Sequence, residues 1–246
     1  MLSPHSEEYK ALYTDEFGDV VGLDEVQLLD PPLEERVPLL SKILNSSDHY
    51  LSYQATLILT AWGKDIGLEN LEKIVNNEEV SNSDFSPNRI TNEDNVYDEL
   101  SYAVHLYGLS GGDRSNMLRI FKKILSIYPK YFFESKLKHS LLKNQFIELI
   151  PSVENAIKET LLNKKYYQAS QLLPVLTKLD SEKGWQTVQK FIALPKSTPD
   201  SAANIAEALK YCTNHEVLTV LQQYALSKNP GVAEEARNSL EYISNQ

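Results

Sequence analysis

The stretch Asp48-His49-Tyr50-Leu51-Ser52-Tyr53-Gln54-Ala55-Thr56-Leu57-Ile58-Leu59-Thr60-Ala61-Trp62-Gly63 decides the fold class. Ser46, Ser47 and Asp48 carry the short oxygen-bearing side chains that accept hydrogen bonds from the free amides at a helix start. Leu51, Ala55, Ile58, Leu59 and Trp62 then recur at three- and four-residue steps, which sets them on one helix face. Gly63 follows where a left-handed backbone costs glycine little, so the helix is expected to stop there.

The same periodicity extends outward. Pro31-Pro32 is expected to position a helix start, with Leu33, Val37, Leu40 and Leu44 inward. Another helix is expected over 67–75, with Leu68, Leu71 and Ile74 inward. Leu100, Ala103, Val104 and Tyr107 form a stripe that Gly108 is expected to end. Ala169, Leu172, Leu173, Leu176 and Leu179 form one later stripe, and Val232, Ala236, Leu240 and Ile243 the last. No segment alternates as a strand would, so the expected fold class is all-α. Two segments lack a helical stripe. In residues 1–32, Phe17-Gly18-Asp19-Val20-Val21-Gly22 reads as a turn or short extended piece. Residues 77–95 hold turn formers, among them Ser81-Asn82-Ser83-Asp84 and Ser86-Pro87-Asn88, and read as a long loop. The expected organisation is an acidic N-terminal arm, 1–32, and a helical domain, 33–246, carrying that loop.

The sequence Asn229-Pro230-Gly231-Val232-Ala233-Glu234-Glu235-Ala236-Arg237, continuing to Leu240 and Ile243, repeats the plan of the opening stretch: a polar turn, an apolar residue, a small alanine, then spaced leucine-like residues. Both resemble HEAT repeats. Alanine lets neighbouring helices approach and leucines fill the shared core. Trp62-Gly63 and Tyr107-Gly108 lie 45 residues apart, inside the period of that class. The resemblance implies a HEAT-like α-solenoid of antiparallel helix pairs with an irregular N-terminal segment. Tyr53-Gln54-Ala55 through Ala61-Trp62-Gly63 to Gly67-Leu68 is also similar to small bacterial HEAT-repeat proteins, some of which are immunity proteins of toxin systems. That implies a protein-binding role, the neutralisation of a cognate toxin, and not catalysis.

Charge sharpens the expected partner. The chain has 246 residues and a net charge of −10. Residues 1–35 hold ten acids against Lys10 alone, and residues 76–99 hold seven against Arg89 alone. Such clusters suit a basic protein partner, for example a toxin domain that cleaves nucleic acid. The expected contacts are Asp15, Glu16, Asp19, Asp24 and Glu25 in the first cluster, and Asp84, Glu93, Asp94 and Asp98 in the second.

Chemistry-bearing patterns are weak. His5, His49, His105, His139 and His215 form no metal-ligand spacing. Cys212 with His215 could be read as a thiol–imidazole pair, but a cysteine ending an apolar helix reads first as core. Gly108-Leu109-Ser110-Gly111-Gly112-Asp113 lacks the lysine and the strand of a phosphate loop and reads as a turn with Asp113 as the next cap. Asn92-Glu93-Asp94-Asn95 lacks the spacing of a calcium loop. No catalytic residue, cofactor or metal is therefore expected. The single cysteine fits a reducing cytoplasm, and neither a membrane-length apolar run nor a secretory leader is read. Residues 114–165 hold eleven bases against four acids, with Tyr128, Tyr131, Phe132, Phe133, Tyr166 and Tyr167 among or beside them. That is the composition of a nucleic-acid surface, and HEAT-like DNA glycosylases use such a face. The acidic net charge argues against nucleic acid here. A scaffold or adaptor that binds through its helical faces is the other alternative.

Overall fold

A computed structural model describes residues 2–78, 95–194 and 199–245. Among these residues the regular structure is helical, and the one bridge between extended residues joins Thr14 and Val20. The chain divides into two compact units, Met1–Ile124 and Leu125–Gln246.

The first unit runs α1 (Glu7–Tyr13), α2 (Leu23–Gln27), a 3-10 turn (Glu34–Arg36), α3 (Val37–Ile43), α4 (His49–Ala61), α5 (Asp65–Asn77), α6 (Val96–Leu109) and the start of α7 (Arg114–Ile127). The Asp48 carboxylate accepts from the amides of Tyr50 and Leu51, so the cap read from the sequence opens α4. Gly63 closes the helix with φ +73°. Next, α5 crosses α4 so closely that a Cβ on Gly67 would meet the Thr60 nitrogen at 2.5 Å and the Leu59 Cβ at 2.7 Å. Glycine is required there for approach and not for turning. The helix α4 packs on α5 and also on α6, and α2 packs on α4. Ala55, Ile58 and Leu59 are buried on α4, and Leu100, Ala103 and Val104 on α6, as the 45-residue offset implies.

Three expectations change. The N-terminal residues are not an arm. Ala11, Leu12 and Val26 join Leu40, Ile58 and Trp62 in one core, and the Trp62 indole donates to the Val26 carbonyl at 3.0 Å. Periodicity could not show this, because α1 and α2 are only 7 and 5 residues long. The helix ending at Gly108 runs on to Leu109, and Gly111 takes the left-handed turn at φ +84°. The Tyr107 hydroxyl organises that turn: it donates to Asp65 at 2.6 Å and accepts from the Asp113 amide. Asp113 then caps α7 through the Asn116 amide, as expected. The helix expected after Pro31-Pro32 begins as the 3-10 turn and becomes regular at Val37.

The second unit holds α8 (Lys136–Asn144), α9 (Ile150–Leu162), α10 (Tyr166–Gln171), α11 (Leu173–Leu179), α12 (Ser181–Ile192), α13 (Ala202–Leu209), α14 (Val217–Ala225) and α15 (Pro230–Ser244). The stripe expected as one helix over 169–179 is two helices. Pro174 has no amide to continue the ladder, so the helix breaks at Leu172. Asp180 caps α12 and Asn229 caps α15. The helix α11 packs on α12 and on α13, and α13 packs on α15. Gly184 of α12 repeats the device of Gly67: a Cβ there would lie 2.4 Å from the Thr177 Cα. Tyr128 and Gln168 lock together, each side chain bonding the other's backbone carbonyl at 2.7 Å.

Candidate partner-binding surface

A small acidic hairpin follows α1. Asp15 Oδ1 accepts from the amides of Phe17 and Asp19 at 2.9 Å each, which folds the chain back. The Asp15 amide donates to the Asp19 carbonyl and the Val21 amide to the Tyr13 carbonyl, closing the hairpin base. Gly18 takes φ +87° at the tip. The whole piece is held from beneath by Arg36. Its guanidinium donates to the Thr14 carbonyl at 2.6 Å, the Asp15 carbonyl at 2.7 Å, the Thr14 hydroxyl at 3.1 Å and the Lys10 carbonyl at 3.3 Å. Burial pushes the Arg36 pKa down, while Glu35, Asp15 and Glu16 push it back up. A planar fork with several donors is suited to gathering carbonyls in this way.

The hairpin therefore presents a fixed face. Phe17 is 82% exposed and Val20 is 68% exposed, two apolar side chains on one short turn. Glu16 and Asp19 are exposed on the same short stretch. A cleft of about 600 Å³ beside the hairpin is lined by Phe17, Val20, Glu16, Glu7 and Glu35, with Lys10 and Arg36 as the basic members.

The expected contact residues separate into groups. Glu16 and Asp19 stand exposed on the hairpin, and Asp24 and Glu25 stand exposed on the first turn of α2. Asp15 is half-buried and its carboxylate builds the turn. Asp98 is a correction: it is fully buried in the first turn of α6 and offers no solvent-facing carboxylate. Its neighbours Tyr97 and Leu100 are buried too. Asp84, Glu93 and Asp94 lie outside the described residues. The sequence reading missed Phe17 and Val20 as contacts, and Arg36 as the clamp. Two signals were there: apolar residues inside an acidic turn, and one arginine closing a run of ten acids.

Other candidates resolve as follows. Cys212 is buried, and burial pushes its thiol up to about 12, so it carries no thiolate near neutral pH. His105 is buried beside Tyr102. Tyr128 and Phe133 are buried with ring centres 4.7 Å apart, which withdraws both from any base-stacking surface. No group of potential metal ligands and no helix long and apolar enough to cross a membrane occurs among the described residues. Compared with family models, curated proteins and solved structures, the chain matches none.

Proposed function

We propose that the protein is a HEAT-like helical-repeat binder that neutralises a basic protein partner, an immunity-type role. The single observation that carries this reading is the clamped acidic hairpin, with Phe17 and Val20 exposed beside the exposed carboxylates of Glu16 and Asp19. An apolar centre with a charged rim is how binding surfaces combine affinity with steering. Four hydrogen bonds from Arg36 fix the hairpin in advance, which lowers the ordering cost of association. The repeat assignment is supported by the packing of some helices on both of the next two in the chain, α4 on α5 and α6, and α11 on α12 and α13.

The test is co-expression with the toxin encoded beside it. Cells carrying the intact protein survive, and the two proteins co-purify. The pair Glu16→Lys with Asp19→Lys slows association strongly and makes it less salt-dependent. Absence of both protection and complex overturns the reading. A partner retained unchanged by the charge-reversed protein points instead to a scaffold that binds through helical faces.

A further inference from the structure

The cleft beside the hairpin is built by α1, the hairpin itself, the 3-10 turn and α3, all within the first unit. Its apolar lining includes Ala11, Phe17, Val20 and Leu39, and its carboxylates are Glu7, Glu16 and Glu35. At about 600 Å³ it has room for one long side chain and the piece of peptide that carries it.

The two cations of the cleft are already engaged. Lys10 Nζ lies 3.4 Å from Glu7 Oε1. The Arg36 guanidinium directs its donors to the carbonyls of Lys10, Thr14 and Asp15 and to the Thr14 hydroxyl. Among the described residues the carboxylates of Glu16 and Glu35 make no ion pair and no hydrogen bond, and both residues are exposed. They act on Arg36 only at longer range, against the burial that lowers its pKa. The lining holds three acids against two bases, and Asp15 and Asp19 of the hairpin make the local count five against two. Uncommitted negative charge beside an apolar wall is the complement of a cation carried on a hydrocarbon stem.

We infer that this cleft receives an arginine side chain of the basic partner. The inference rests on the reading that the hairpin binds such a partner, and it names the group recognised. Val20 and Leu39 match the aliphatic stem, and Glu16 and Glu35 match the guanidinium. Phe17 selects arginine over lysine. A guanidinium is planar and weakly hydrated, so it stacks on an aromatic face and still pairs with a carboxylate through two parallel N–H groups. An ammonium is a compact, strongly hydrated charge and gains less from either contact. Arg36 presets the hairpin, so little ordering is lost when the side chain enters.

The test uses the full chain and end-blocked glycine pentapeptides with arginine, lysine or citrulline at the centre. NMR signals of the Phe17 ring and the Val20 methyl groups are followed in each titration. The arginine peptide gives saturable shifts, binds several-fold more tightly than the lysine peptide, and far more tightly than the neutral citrulline peptide. Glu16→Gln and Glu35→Gln, both at exposed positions, each weaken the arginine peptide about tenfold, the loss of one charge-assisted contact. Phe17→Ala brings the arginine and lysine affinities together. Glu148→Gln, exposed in the second unit, leaves the affinity unchanged. The proposal is overturned if the arginine peptide does not saturate, if lysine or citrulline binds as tightly, or if both glutamine variants in the cleft bind as the intact protein does. The two readings fail separately. Arginine binding without neutralisation of the toxin keeps the cleft and removes the immunity role, and neutralisation without arginine binding does the reverse.

Discussion

The two units are built from the same kind of helix and differ in how they treat charge. The first, residues 1–124, carries 22 acids against 10 bases, a net of −12; the second, residues 125–246, carries 12 against 14, a net of +2. In the second unit carboxylates find cations across helices, as in Lys138–Glu207, Lys183–Glu154 and Lys210–Glu235. The first unit has such pairs too, Lys64–Glu34 and Glu72 with Arg119 and Lys123. Its main long-range ties are of another kind: the Trp62 indole to Val26, Arg36 to the hairpin carbonyls, and Tyr107 to Asp65. The carboxylates of Glu16 and Asp19 take part in none of these ties. A surface that stability does not require can serve recognition, and that is where Glu16 and Asp19 stand.

Substitutions can break or sharpen this contrast. The largest effect is expected from Trp62→Ala, which empties a core site and removes the tie to Val26, at about 3–5 kcal/mol. Hydrogen exchange should rise in α4 and α6 more than in α11 and α13. An equal rise in both units would remove the distinction. Next come Gly67→Ala and Gly184→Ala, one in each unit. Each forces a Cβ against a crossing helix and should cost about 1–3 kcal/mol in urea unfolding. A much smaller cost for either would mean its crossing relaxes freely. Arg36→Met should cost about 1–2 kcal/mol and unprotect the Asp19 and Val21 amides, leaving the second unit unaltered.

The smallest effect is nil at neutral pH and appears only in alkali. Burial pushes the Cys212 thiol from 9.0 to about 12 and the Tyr211 phenol from 10.0 to about 12. A raised acid is protonated longer in the folded chain. The unfolded chain loses its protons first, so this stability is complete below about pH 9 and is lost as pH rises towards 12. In the first unit the raised groups Tyr13 and Tyr107 start from 10.0, so its loss begins at higher pH. Thermal unfolding of intact and Cys212→Ala protein between pH 8 and 11 measures the difference. A variant with the same alkaline profile as the intact chain would remove the thiol's part.

Much of this was legible locally. The Asp48 cap, the Gly63 stop, the Asp113 cap and most of the inward stripes depend on residues within one or two helical turns, and the structure keeps them, while Pro174 divides the 169–179 stripe between two helices. The contact residues were legible only as a cluster of charge. Counting acids does not separate Glu16, which faces water, from Asp15, which bonds its own loop, or from Asp98, which is buried. Those differences arise from contacts between residues far apart in the chain.

The sequence by itself determined the helices and their inward faces, because capping and periodicity act over a few residues. Only the tertiary structure decided that Ala11, Leu12 and Val26 belong to the first unit's core and that Arg36 fixes the acidic hairpin. Each of these joins side chains across tens of residues, and a distance in space has no signature in the local pattern until the helices pack.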